Sequence, residues 1–152
     1  MSQKLLQLLD SDAVCLKMDA RDAADVIENL GIRLFIDGYV KDTFVDAALA
    51  REKKLPTGLP LGGDVNAAIP HTDVIHVLKP GVALATLKHP VVFKNMIQPE
   101  EDVKVRLVFL LSLEKPKSQI EMLQEIAGVL QRPETVEKLI TANTFEDVQA
   151  AL

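Results

Sequence analysis

Val103-Lys104-Val105-Arg106-Leu107-Val108-Phe109-Leu110-Leu111-Ser112-Leu113 is the stretch on which the architecture of this chain turns. Val103, Val105, Leu107 and Phe109 alternate with other residues, the period of a strand. From Val108 to Leu111 the run becomes continuously apolar. Such a strand passes from a half-exposed position into one covered on both faces, as between the helix layers of an α/β sandwich.

Working back from it, Val82 to Leu87 and Val91 to Phe93 read as strands able to pair across a turn at His89-Pro90. Val65 to Ile69 is a shorter strand, and Pro56 to Asp64, with two prolines and three glycines, is a loop. A first strand is expected over Ala13 to Met18, where Val14, Leu16 and Met18 alternate. Asp19 is placed to cap a following helix with Ala23, Ile27, Leu30 and Leu34 on its buried stripe. Gly31 falls inside that stripe and leaves the helix end open. Gly38-Tyr39 reads as a turn, and a second helix is expected from about Asp42 to Lys53.

Three helices are expected beyond the long strand. Ser118-Gln119-Ile120-Glu121 has the form of a capping box, with Ile120, Leu123, Ala127 and Leu130 on one face. Pro133 stands where a first helical position is expected, and Thr144 with Asp147 starts a final short helix. The order predicts one α/β domain over 1–152, a single-domain mixed-sheet sandwich with helices on both faces.

The 152 residues suit one core, and 48% hydrophobic with 26% charged residues is the balance of a globular protein. No apolar run approaches the roughly 20 residues that span a bilayer. The N-terminus lacks the pattern of a signal peptide, so membrane insertion is not expected and a cytoplasmic location is. Cys15 is the single cysteine, which excludes an internal disulfide and a thiolate metal site. A net charge of −5 and the absence of tryptophan argue against a nucleic-acid partner.

Few residues remain for chemistry. Ile69-Pro70-His71 closes the short strand, and Pro70 excludes a helix interior or a central strand there. His71 is thereby carried at a strand-to-loop junction, where α/β proteins usually place reactive groups. Its imidazole suits a base, a metal ligand or a covalent phosphoryl carrier, although a histidine in such a place is more often a structural or surface one. His76, five residues on, makes a poor helical metal pair with it. His89 reads as a turn residue. No HExxH, CxxC, nucleotide-binding glycine loop or carboxylate set at ligand spacing is present, so neither a metal nor a cofactor is expected.

Taken together, Ala50-Arg51-Glu52, Pro56-Thr57-Gly58 and Ala67-Ala68-Ile69-Pro70-His71 resemble the fructose/mannitol-type IIA domains of the bacterial sugar phosphotransferase system. Those domains carry "RE…PTG…aIPH" in this order and at about this spacing. The resemblance extends over nearly the whole chain. Ile75-His76 and Leu130-Gln131-Arg132-Pro133 are similar to the galactitol-specific branch. The resemblance implies that His71 takes a phosphoryl group from phospho-HPr and passes it to a IIB component serving a membrane IIC permease. Arg51 matches the arginine beside the active histidine, and Thr72 is a further candidate donor. Mannitol- and fructose-type members often carry a second active-site histidine where this chain has Gln119. That leaves Gln119 as an amide donor and His76 as a candidate second imidazole. The alternative is a regulatory IIA-like module that controls a partner through its phosphorylation state. With no DNA-binding or permease segment attached, a stand-alone carrier is the favoured expectation.

Overall fold

The computed structural model describes residues 3–152. Five strands form one mixed sheet in the order β1-β4-β5-β3-β2. They are β1 (Leu9–Met18), β2 (Gly58–Leu59), β3 (Asn66–Ala68), β4 (Gly81–Lys94) and β5 (Asp102–Ser112). β4 and β5 are antiparallel, β1 runs parallel to β4, β3 runs parallel to β5, and β2 is antiparallel to β3.

The continuous apolar run of β5 has a direct physical explanation. Leu107, Phe109 and Leu111 enter one core, while Val108 and Leu110 enter the other. The same alternation divides β4, with Val82 and Leu84 on one side and Ala83 and Ala85 on the other. Helices α2 (Ala23–Ile36) and α3 (Phe44–Lys54) supply Val26, Ile27, Leu30, Leu34, Phe44 and Ala48 to one face. Helices α1 (Gln3–Leu8), α4 (Pro116–Leu130), α5 (Pro133–Thr141) and α6 (Phe145–Ala151) cover the other. A central strand sealed on both faces loses the period-two signal because each face buries its own apolar set.

Several expectations are corrected. Val82 to Leu87 and Val91 to Phe93 do not pair with each other; they are collinear parts of β4, and both pair with β5. The register shifts between Thr86 and Val91, so His89 and Pro90 lie in a bulge rather than a turn. A proline without a backbone donor is tolerated at such a bulge. The side chain of Arg106 donates to the Leu87 carbonyl at 3.1 Å, satisfying an acceptor beside the irregularity.

The α2 cap is Asp22 rather than Asp19; its carboxylate accepts from the Asp25 amide at 2.9 Å. The helix continues through Gly31, where an added Cβ would lie 2.7 Å from Val45 Cγ2, so the glycine admits the neighbouring helix. α4 begins earlier than expected, with Pro116 in its first positions and Lys115 as cap, which puts Ser118 inside the helix and leaves the predicted box unformed. Its buried residues are Met122, Ile126, Val129 and Leu130, and Ile120 is exposed. The Thr144–Asp147 box does form. β1 starts four residues before Ala13, and α1, which the sequence reading did not anticipate, precedes it.

Candidate active site

Parallel pairing of β3 with β5 carries the chain to Ile69-Pro70-His71 at the C-terminal end of β3. Two backbone bonds hold this exit. The Ile69 amide donates to the Thr57 carbonyl at 3.3 Å, and the Leu111 amide donates to the Pro70 carbonyl at 3.1 Å. His71 is therefore anchored both to the long strand and to the Pro56-Thr57-Gly58 segment.

The histidine is 8% exposed, and its Nδ1 lies 2.9 Å from the Ile69 carbonyl oxygen. A carbonyl can only accept, so Nδ1 carries the proton and Nε2 holds the free lone pair. Burial pushes the imidazole below the usual histidine range; the Ile69 bond opposes this, and the Arg51 guanidinium adds to it. The ring is thus neutral at pH 7, with its nucleophilic nitrogen selected by the backbone.

Arg51 sits in the last turn of α3. Its Nη1 is 3.8 Å from Asp73 Oδ1, and its Nε is buried without a hydrogen-bond partner. An unsatisfied guanidinium donor beside a neutral imidazole is suited to accept an anion. The adjacent Glu52 turns to a different task. Its carboxylate accepts from the Thr57 amide and from Thr57 Oγ1, both at 2.8 Å. Burial raises its pKa to about 7, against the lowering effect of the two Thr57 bonds. Gly58 completes the motif, because a Cβ there would lie 2.6 Å from the Lys94 carbonyl oxygen. The three sequence segments therefore converge through successive bonds: Glu52 to Thr57, Thr57 to Ile69, and Ile69 to His71.

Gln119, in the first turns of α4, donates through Nε2 to the Thr72 carbonyl at 3.0 Å. It braces the loop that follows His71. The ring of His76 lies in a single 3₁₀ turn, Val74–His76, and its Nδ1 is 2.8 Å from Thr43 Oγ1 at the start of α3. Its hydrogen bond is thus directed to the opposite end of α3 from Arg51. His89 is exposed on β4. Sequence reasoning assigned no task to the Glu52–Thr57 pair or to Asp73, although all three lie within or beside the motifs. Among the described residues, Asp10, Asp12 and Asp37 bring carboxylate oxygens within 4.8 Å of one another. No linear spacing reveals that group, because Asp37 arrives from the end of α2.

Residues 7–152 match the family described as phosphoenolpyruvate-dependent sugar phosphotransferase system, EIIA 2. The chain belongs to that EIIA family. It is similar to the galactitol-specific EIIA component of Escherichia coli strain K12, at 36% identity over 120 residues, 79% of each chain. The crystal structure of mannitol IIA from Escherichia coli superposes with a TM-score of 0.79 at 27% identity, covering 93% of this chain and 96% of that one. The transcriptional regulator ManR of Bacillus subtilis is 30% identical over 142 residues, 90% of this chain but 20% of the regulator. This EIIA protein is a phosphoryl carrier and a phosphotransferase component of that system. No helix among its described residues is long and apolar enough to cross a membrane.

Proposed function

We propose that His71 is the residue that carries the phosphoryl group, taking it on Nε2 from phospho-HPr in the cytoplasm and passing it to a IIB component that serves a membrane IIC permease. The observation that carries this reading is the buried, neutral imidazole with Nδ1–H committed to the Ile69 carbonyl. That bond leaves one nitrogen able to attack phosphorus. Phosphoryl transfer asks mainly for in-line positioning and for cations to meet the spread negative charge. Arg51 supplies the cation through its unpartnered Nε. Gln119 holds the His71 loop in place through Thr72, and His76 is the second imidazole within the same loop region. The domain is 1–152, and the reaction on this protein uses no metal or cofactor of its own.

The transported solute is galactitol. Support comes from the similarity to the galactitol-specific component, which exceeds in identity that to mannitol IIA. A IIA domain need not touch the solute, so specificity follows the IIB partner that accepts the phosphate. Incubation with phosphoenolpyruvate, Enzyme I and HPr, followed by mass analysis, should add one acid-labile phosphoryl group to the wild type and none to His71→Ala. Label that persists in the variant, or that maps to His76 or His89, refutes the assignment.

The second reading is regulatory, favoured by the match to a segment of ManR. Deleting the gene separates the two. Loss of phosphorylating galactitol uptake with glucose uptake intact supports the transport role, and no loss of any sugar supports regulation.

A further inference from the structure

Arg51 is held by an unusual resting partner. The carboxylate of Asp73 stands two residues beyond His71 and reaches Nη1 at 3.8 Å, an ion pair too long for a firm hydrogen bond. Its side chain is 75% exposed, so water screens the contact and the carboxylate is free to leave. The Nε edge of the same guanidinium is buried and unfilled. Arg51 is therefore half engaged by an anion that can be displaced. The backbone of Asp73 is fixed independently, since its carbonyl accepts from the His76 amide at 3.3 Å and Gln119 braces the preceding residue.

We propose that Asp73 is a positioning residue for transfer, acting through Arg51: it competes with the phosphoryl group for the guanidinium, and so makes phospho-His71 a readier donor. The inference rests on His71 being the carrier. In the unphosphorylated protein Asp73 balances the Arg51 charge close to a buried ring. On transfer, the Nε2 lone pair forms the new N–P bond while the N–P bond of the donor phosphohistidine breaks, its electron pair returning to the donor ring. The Nδ1 proton stays on the Ile69 bond. The arriving phosphoryl oxygens are drawn to the open Nε edge of Arg51, and their negative charge drives Asp73 from its long contact at Nη1. Loss of that pair and like-charge repulsion both raise the free energy of the phosphorylated form. Onward transfer reverses the sequence, and Asp73 re-engages Arg51 as the phosphoryl group departs.

The test uses the full chain with phospho-HPr as donor and compares wild type, Asp73→Asn, Asp73→Glu, Arg51→Ala and the Asp73→Asn/Arg51→Ala double variant. The measured quantity is the equilibrium ratio of phosphorylated to unphosphorylated protein, with melting temperature as the fold check. Asp73→Asn should raise that ratio about two- to fivefold, the range set by an exposed ion pair. Asp73→Glu should restore the wild-type ratio, and the effect of Asp73→Asn should vanish when Arg51 is absent. A ratio unchanged in Asp73→Asn overturns this inference while leaving the carrier reading intact. An effect equally large without Arg51 overturns the competition and assigns the charge a direct action on the phosphate. Absence of label on the wild type overturns both.

Discussion

Replacing Glu52 with glutamine isolates the electrostatic part of the site's scaffold. The carboxylate is half-buried against Thr57, and its pKa rises from 4.5 to about 7. A raised acid stabilises the fold fully below its unfolded value, and that contribution is lost as pH rises through about 7. Each unit is worth about 1.4 kcal/mol, and part of the shift is already spent by pH 5, so the loss between pH 5 and pH 8 is about 2–3 kcal/mol. Glutamine keeps the shape; its carbonyl can accept from the Thr57 amide and its NH2 can donate to the Thr57 hydroxyl, but it cannot ionise. The stability of Glu52→Gln relative to wild type should therefore increase by that amount across the window. For a chain of this size the shift is about 5–10 °C in relative melting temperature. His71 titrates in the opposite sense, its contribution being present above its unfolded value and lost as pH falls, but it is common to both proteins and cancels in the difference. The assay is differential scanning calorimetry of both proteins at pH 5, 6, 7 and 8. Parallel profiles would show that the half-buried carboxylate carries no ionisation penalty, and the reasoning from desolvation would fail.

Arg51→Ala should leave the melting temperature nearly unchanged, since its ion pair is long and partly solvated, but slow phosphorylation by about tenfold or more; unfolding of the variant, or a wild-type rate in a quench assay, contradicts this. Gly58→Ala forces a Cβ toward the Lys94 carbonyl and should cost about 1–3 kcal/mol in urea titration, with a lower phosphorylation rate because Thr57 moves with it; wild-type stability would show that the strand end yields freely. Gln119→Ala removes the amide bond to Thr72 and should reduce the transfer rate by about fivefold, the equivalent of one ordinary hydrogen bond, with no change in which residue is labelled. Excess EDTA should not alter labelling by purified phospho-HPr once Enzyme I has been removed, and a strict metal requirement in that step would overturn the metal-free reading.

What could be read in the sequence was what neighbouring residues decide among themselves. The period of Val103 to Leu113 announced a strand sealed on both sides, Pro133 and the Thr144–Asp147 pair marked helix starts, and the three short motifs picked out segments that lie together in the fold. These are local signals, carried by φ restriction, capping and side-chain alternation. Where the sequence reading went astray, the deciding partner lay far along the chain. His89-Pro90 has the composition of a turn, yet β5 is long enough to pair with the strand on both sides of it, so a bulge forms instead. Ser118 has the pattern of a cap, but Pro116 starts the helix earlier, and packing against the sheet buries Met122 and Ile126 in place of Ile120. The same holds at the site. That Glu52 bonds Thr57, that Ile69 selects the His71 tautomer, and that Arg51 keeps a long contact to Asp73 and an unpartnered Nε are consequences of bringing α3, β3 and the 3₁₀ turn together. Burial raises one pKa and lowers another only after distant elements have excluded water, and that exclusion belongs to the tertiary structure alone.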